Sequence, residues 1–240
     1  MRPASGSSPT CTRPRPDPIV GKRAAAILFA LCTAACAAAL PFIPVTPLLS
    51  TALSSRVNDD ALAKQVIEME IRKDWVGLAK FAAARMVTEP EEIDWWVILA
   101  FAQIQQKEFK PAIALLERAI ARSPEDIDPR NLLGEAYRQS GDPARAAEIL
   151  ERAVYINSNT AQTRYLLGEA YRDDNRLERA KQAYRDAVLI DAEFSPAWAS
   201  LAGVLARTGP REEFEEAIKQ LTLLEPQIAK QLMGTVKPKP

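Results

Sequence analysis

Residues 131–138 read Asn-Leu-Leu-Gly-Glu-Ala-Tyr-Arg, and residues 165–172 read Tyr-Leu-Leu-Gly-Glu-Ala-Tyr-Arg. The two segments differ only at their first position, and each carries its glycine, Gly134 or Gly168, at the fourth. Gly134 and Gly168 are 34 residues apart. A further step of 34 residues in either direction reaches two more small residues, Ala100 and Ala202. A fixed interval of about 20–50 residues indicates a repeat architecture, in which stacked units bury apolar faces that a single unit cannot bury.

Each unit of this repeat predicts two short helices joined by a tight turn. In the third unit the apolar residues recur with helical spacing over residues 127–140 and again over residues 143–156. We expect Gly141 to end the first helix, Asp142 to cap the second and Pro143 to occupy its first turn. The glycine inside the repeated segment costs about 1 kcal/mol relative to alanine in a helix, so its recurrence indicates close approach of the paired helices.

This pattern resembles the tetratricopeptide repeat family, whose units are about 34 residues long. A Leu-Gly pair lies in the middle of the first helix and a tyrosine follows three residues later, at Tyr137 and Tyr171. Aromatic residues occur early in the same helix, at Trp96 and Trp198. The resemblance implies an all-α fold, a right-handed superhelix (α-solenoid) of about five helix-turn-helix repeats within residues 59–233. The expected units are 59–92, 93–126, 127–160, 161–194 and 195–228, followed by a short capping helix over residues 227–233 and a disordered tail over residues 234–240.

The resemblance also implies a concave face, built from the first helix of each unit, that holds a peptide or a partner protein. Asn131 is expected to hydrogen-bond an extended peptide backbone, Arg138 and Arg172 to take a carboxylate, and Tyr165 to provide an aromatic anchor. The complete predicted partner-binding groove consists of Val97, Phe101, Asn131, Glu135, Arg138, Tyr165, Glu169 and Arg172.

A second interpretation of the charged groove residues stays open. Glu135 and Arg138 are three residues apart, as are Glu169 and Arg172, and such pairs stabilise a solvated helix surface without any ligand. Aspartates also recur near the start of three units, where they are expected to cap helices or to interact with the helix dipole: Asp60, Asp94 and Asp128.

The residues before the repeats predict an export segment. Residues 1–23 carry a net charge of +5 − 1 = +4 and are rich in Pro, Ser and Thr, so we expect a disordered basic head. Residues 24–49 contain no charge, and the helix expected over residues 24–40 spans about 25 Å, slightly less than the hydrocarbon core of a membrane. The segment is either an uncleaved single-pass anchor or a cleaved signal peptide, with lipidation at Cys36 a further alternative. Residues 50–58 then form a linker.

Composition excludes several classes of function. The 240 residues contain no histidine, and neither a GxGxxG nor a GxxxxGK[ST] motif occurs, so we expect no His-based catalysis, no metal site and no cofactor. Zero net charge argues against nucleic-acid binding. The sequence therefore predicts a non-enzymatic scaffold that is tethered to a membrane and binds a protein or peptide partner. Its N-terminus is expected to be cytoplasmic and its repeats extracytoplasmic, in the bacterial envelope, with a role in envelope assembly or secretion. A self-associating structural subunit and a periplasmic or lipoprotein adaptor are the alternatives.

Overall fold

The computed structural model of the chain describes residues 56–57 and 59–235, and these residues form helices joined by short turns. The helices, which alternate between the first (A) and second (B) helix of each unit, are α1 (Asp60–Ile71), α2 (Trp75–Thr88), α3 (Ile93–Gln105), α4 (Phe109–Arg122), α5 (Asp128–Gln139), α6 (Pro143–Ile156), α7 (Ala161–Asp173), α8 (Leu177–Ile190), α9 (Ser195–Thr208), α10 (Arg211–Leu224) and α11 (Pro226–Thr235). None of these described helices is long and apolar enough to cross a membrane.

The helices stack as pairs. Each helix B packs against the helix A of its own unit and, up to the fourth unit, against the helix A of the next. From the second unit to the fifth, neighbouring A helices also contact each other directly, so the A helices form one continuous face. The all-α repeat fold expected from the sequence is therefore confirmed. The basic head, the apolar segment and most of the linker lie outside the described residues, as do residues 236–240. The last helix, expected to end at Met233, extends to Thr235.

The turn between helices A and B has the same backbone conformation in the first four units. One residue at the same repeat position has a positive φ angle in each turn: Lys73, Lys107, Gly141 and Asn175. In the third unit, the Gly141 N–H donates to the carbonyl of Arg138 at 3.1 Å, and the Asp142 N–H donates to the carbonyl of Tyr137 at 2.9 Å. This pair of bonds is the Schellman motif, which satisfies the last carbonyl groups of helix A. Equivalent bonds close the other three turns.

The predicted cap and the predicted close approach are both confirmed. The Asp142 carboxylate accepts a hydrogen bond from the N–H of Arg145 at 3.1 Å and so caps α6. A Cβ atom added to Gly134 would lie 2.6 Å from the side chain of Leu150, and one added to Gly168 would lie 2.5 Å from the ring of Tyr184. Because real Cβ atoms do not approach other atoms so closely, glycine is required where helix A meets the large residue of helix B.

Candidate functional site

The predicted groove residues lie on α3, α5 and α7. These are three consecutive A helices, and each contacts the next. The two apolar residues, Val97 and Phe101, are fully buried, and the ring of Phe101 packs edge-on against Trp75 at a centroid distance of 5.7 Å. Tyr165, the expected aromatic anchor, is also buried, and its ring contacts those of Tyr184 and Phe194. These aromatic side chains therefore belong to the core of the described residues.

Glu169 is the centre of a buried polar cluster. Its side chain is 1% exposed, and its Oε1 accepts hydrogen bonds from the Tyr184 hydroxyl at 2.6 Å, from Arg172 Nη1 at 2.8 Å and from the Ser200 hydroxyl at 3.0 Å. The three donors come from three different helices, so the carboxylate connects α7, α8 and α9. Burial, together with the charge of Glu169, holds the pKa of Tyr184 well above its usual value, and the hydroxyl remains a donor at physiological pH.

A second ionic cluster connects the third and fourth units. The Glu135 carboxylate, 2% exposed, accepts hydrogen bonds from Arg138 Nε at 2.9 Å and from Nη2 of the same guanidinium group at 2.7 Å. Arg138 Nη1 lies 2.6 Å from the carboxylate of Asp173, which also accepts a bond from Arg172. Burial acts to lower the pKa of Arg138, but the carboxylates of Glu135 and Asp173 outweigh it and raise that pKa. Asp173 thus joins the two arginines of adjacent A helices.

Both Glu–Arg pairs expected from the sequence are present, but their carboxylates are buried and not solvated. A buried, paired carboxylate is costly to leave without its partner, so these clusters fix the stacking of neighbouring units. One groove residue differs from the others: Asn131 is 1% exposed, and its Oδ1 atom has no hydrogen-bond partner within the described part of the chain. That the eight predicted residues contact a partner protein stays a prediction.

An acidic site at the start of the A helices was not predicted. The guanidinium group of Arg56, which precedes the first helix, is bound by the carboxylates of Asp94, Asp126 and Asp128. Asp94 and Asp128 lie in the first turns of α3 and α5, as expected of residues that interact with the helix dipole. Their carboxylates do not cap these helices but bind Arg56 instead. Nothing in the sequence pattern connects Arg56 with aspartates so far along the chain.

A row of exposed apolar side chains was also not predicted. The penultimate residue of helix B is exposed in every unit: Val87, Ala121, Tyr155, Leu189 and Leu223. The four large members have exposed fractions of 82%, 91%, 82% and 73% in chain order. The available signal was their recurrence at the repeat interval of about 34 residues. We call these five residues the apolar row.

A cleft of about 400 Å³ begins at the third member of the apolar row, Tyr155, and lies between α4, α5 and α6. Its lining is apolar at four further positions: Ile120, Leu133, Ile149 and Ile156. Glu117, Arg130 and Arg152 add charged groups. An open, largely apolar cleft beside an exposed aromatic ring is suited to receive an apolar side chain of another molecule. Among the described residues, no group of three or more Cys, Asp or Glu side chains is arranged to hold a metal ion.

Stacked pairs of helices at an interval of about 34 residues, joined by a recurring turn, define a tetratricopeptide-type repeat protein. Residues 105–187 match the family described as anaphase-promoting complex, cyclosome, subunit 3. No curated protein matches the chain significantly in sequence.

Solved structures with the same fold share little sequence with this chain. A thermophilic TPR protein of Thermus thermophilus is 17% identical, with a TM-score of 0.59 over 70% of this chain and 95% of that chain. MamA of Desulfovibrio magneticus RS-1, from residue 41 to its end, is 18% identical, with a TM-score of 0.56 over 78% of this chain and 98% of that chain. YrrB, described as a TPR protein with an unusual peptide-binding site, is 16% identical, with a TM-score of 0.53 over 79% of this chain and 99% of that chain. These similarities establish the fold.

Proposed function

We propose that the repeats form a protein-interaction scaffold that binds its partner through the apolar row and the adjoining cleft. The observation that carries this proposal is the recurrence of a large apolar side chain at a highly exposed position of helix B in four of the five units. An exposed apolar surface costs free energy in water and commonly marks a site of protein association. YrrB, which has the same fold and is described as having a peptide-binding site, is consistent with this role.

We propose a non-catalytic role for this scaffold. The buried carboxylates of Glu135 and Glu169 are each bound by a neighbouring arginine. The described pairs therefore support a structural role in stacking the units.

We further propose that residues 24–40 tether the scaffold to a membrane, with the basic head in the cytoplasm and the repeats on the opposite side, in the bacterial envelope. The support is the uncharged apolar stretch that follows a head of net charge +5 − 1 = +4. A cleaved signal peptide, which would release a periplasmic adaptor, is the alternative. Mass determination of the mature N-terminus separates the two, because only the anchor retains residues 1–23.

Site-specific photo-crosslinking in cells tests the scaffold role. A photoreactive amino acid at Tyr155 is expected to crosslink one defined partner, and the double substitution Leu189→Ser, Leu223→Ser is expected to reduce its capture at least about tenfold. The matched control is Val76→Ser, which removes a half-exposed valine of α2 that lies outside the apolar row. Equal capture by the double variant and the control would reject the apolar row as the binding surface. Capture of a second copy of this chain, with a mass that rises with concentration in sedimentation, would instead favour the self-associating subunit.

A further inference from the structure

The three aspartates of the acidic site at the start of the A helices bind all three nitrogen atoms of the Arg56 guanidinium group. Arg56 Nε lies 2.7 Å from Asp94 Oδ1, Nη1 lies 2.7 Å from Asp128 Oδ2, and Nη2 lies 2.5 Å from Asp126 Oδ2. Only 16% of the Arg56 side chain is exposed. The planar fork of a guanidinium group matches this arrangement of carboxylates, whereas the compact ammonium group of lysine cannot reach all three in the same way.

The acidic site has more negative charge than Arg56 neutralises. Three carboxylates surround one cation, so the site with Arg56 in place still has a formal charge of 1 − 3 = −2. Burial is the main cause of a raised pKa at Asp128; Arg56 opposes the effect, and the neighbouring Asp126 and Asp94 add to it. Without a bound guanidinium group, the three carboxylates would repel one another in a partly buried site. The site is therefore built around a cation and is not a solvated acidic surface.

The acidic site is continuous with the face formed by the A helices. Asp94 and Asp128 occupy the same repeat position on the adjacent helices α3 and α5. Asn131 follows Asp128 by one turn on α5, and its buried Oδ1 atom lacks a hydrogen-bond donor among the described residues. Residues three apart lie on the same side of a helix, so Asn131 lies on the side of α5 that carries Asp128.

We propose that Asp94, Asp126 and Asp128 form an arginine-binding subsite for a partner peptide, and that Arg56 fills this subsite within the same chain until an arginine of the partner replaces it. The proposal rests on the proposed function in that it assumes a protein partner, but it uses the A-helix face and not the apolar row. Arg56 acts as a tethered competitor, because a group in the same chain has a high effective concentration at the site. A partner with one suitably placed arginine thus binds best when it also gains contacts elsewhere on the array.

The test uses the full-length chain and a fluorescent peptide with the sequence of residues 50–58, which contains Arg56. Fluorescence anisotropy is expected to show binding to the Arg56→Ala variant that is at least about tenfold tighter than binding to the unchanged protein, whose site is occupied. A peptide with glutamine in place of the arginine is expected not to bind. Equal binding of the arginine and glutamine peptides, or equal binding to both proteins, would overturn the proposal.

Two further variants distinguish the subsite from general attraction by negative charge. In the Arg56→Ala background, Asp126→Asn with Asp128→Asn is expected to abolish peptide binding. The control in the same background is Asp60→Asn, because Asp60 occupies the same repeat position in the first unit and is exposed. Loss of binding in the control as well would show that overall charge, and not the subsite, attracts the peptide. Thermal melting of each variant shows whether it is folded. If the double variant is not folded, Asp128→Asn alone takes its place in the binding measurement.

The outcomes also separate this proposal from the proposed function. Peptide binding that follows these expectations supports the arginine subsite even if crosslinking at Tyr155 captures no partner. Conversely, capture at Tyr155 with no arginine-dependent peptide binding supports the scaffold role and rejects the subsite.

Discussion

The hydroxyl group of Tyr184 donates a 2.6 Å hydrogen bond to the buried carboxylate of Glu169, across the interface between α7 and α8. The ring of the same tyrosine fills the space left by the absent side chain of Gly168. Tyr184, a residue of helix B, thus contacts helix A at two places: at Gly168, where the two helices pack closely, and at the buried carboxylate of Glu169.

Tyr184→Phe is expected to lower the free energy of unfolding by about 1.5–3 kcal/mol, because it removes a hydrogen bond to a charged, buried acceptor. Urea denaturation measures the change. Tyr155→Phe is the control, since the Tyr155 side chain is 91% exposed and its hydroxyl is solvated. A loss of similar size in both variants would contradict the special role of the Glu169 bond.

Gly168→Ala and Gly203→Ala are expected to have opposite effects. At Gly168 the added Cβ would lie 2.5 Å from the Tyr184 ring, so overpacking is expected to destabilise the protein by about 1–3 kcal/mol. At Gly203, in α9, the added Cβ has no neighbour within 4 Å among the described residues, so the higher helix propensity of alanine is expected to stabilise by up to about 1 kcal/mol. Chemical denaturation of the two variants side by side measures both effects, and the same sign in both would refute the packing argument.

Lys107→Gly is expected to stabilise the protein by about 0.5–1 kcal/mol, because glycine adopts a positive φ angle without steric cost. Lys107 lies in the turn after α3 with a φ angle of 62°. The matched control, Lys80→Gly, places glycine inside α2 at an exposed position and is expected to cost about 1 kcal/mol. Thermal unfolding followed by circular dichroism records both shifts. A lower midpoint temperature for Lys107→Gly would show that the lysine side chain contributes more than the strain costs.

The stability of the protein is expected to fall as the pH rises from about 4.5 to about 8 through the titration of Glu70. Burial raises the pKa of Glu70 from 4.5 to about 8, and its Oε1 atom has no hydrogen-bond partner among the described residues. The folded state therefore holds a proton that the unfolded state releases, and the free energy of unfolding decreases with pH within this window.

Denaturation of the Glu70→Gln variant at several pH values across this window checks the prediction. Glutamine cannot ionise, so the variant is expected to gain stability over the unchanged protein at the alkaline end of the window and little at the acidic end. A stability difference that stays constant across the window would exclude titration of Glu70 as the cause.

The repeat, its turns and its capping residues were predictable because each depends on local chemistry that recurs in the sequence. Gly141 and Asp142 act within their own turn, and Gly134 meets a residue of the adjacent helix. The burial of the candidate groove residues was not predictable in the same way. Glu169 obtains donors from Tyr184 on the next helix and from Ser200 in the next unit, so its burial depends on how the units stack.

The two unexpected surfaces were missed for different reasons. Arg56 lies in a stretch without periodicity, so the sequence offered no register that would bring it to Asp94 and Asp126. Tyr155 and Leu189 do recur at the repeat interval, but an apolar residue at regular spacing is ordinarily interpreted as core. Periodicity shows that two residues are equivalent, and only the packed structure shows whether the equivalent position faces inward or outward.

The apolar row has a geometric consequence for any molecule that covers it. Its members recur once per unit, so the distance between them is set by the stacking of the helical pairs and does not depend on the partner. A partner must therefore present apolar groups at the same spacing to engage several members of the apolar row at once. Each additional matched contact would then raise the overall avidity of the complex. On the proposed function, the array would select partners by the spacing of their contact groups, and a change in the number of repeats would change the length over which that spacing must match.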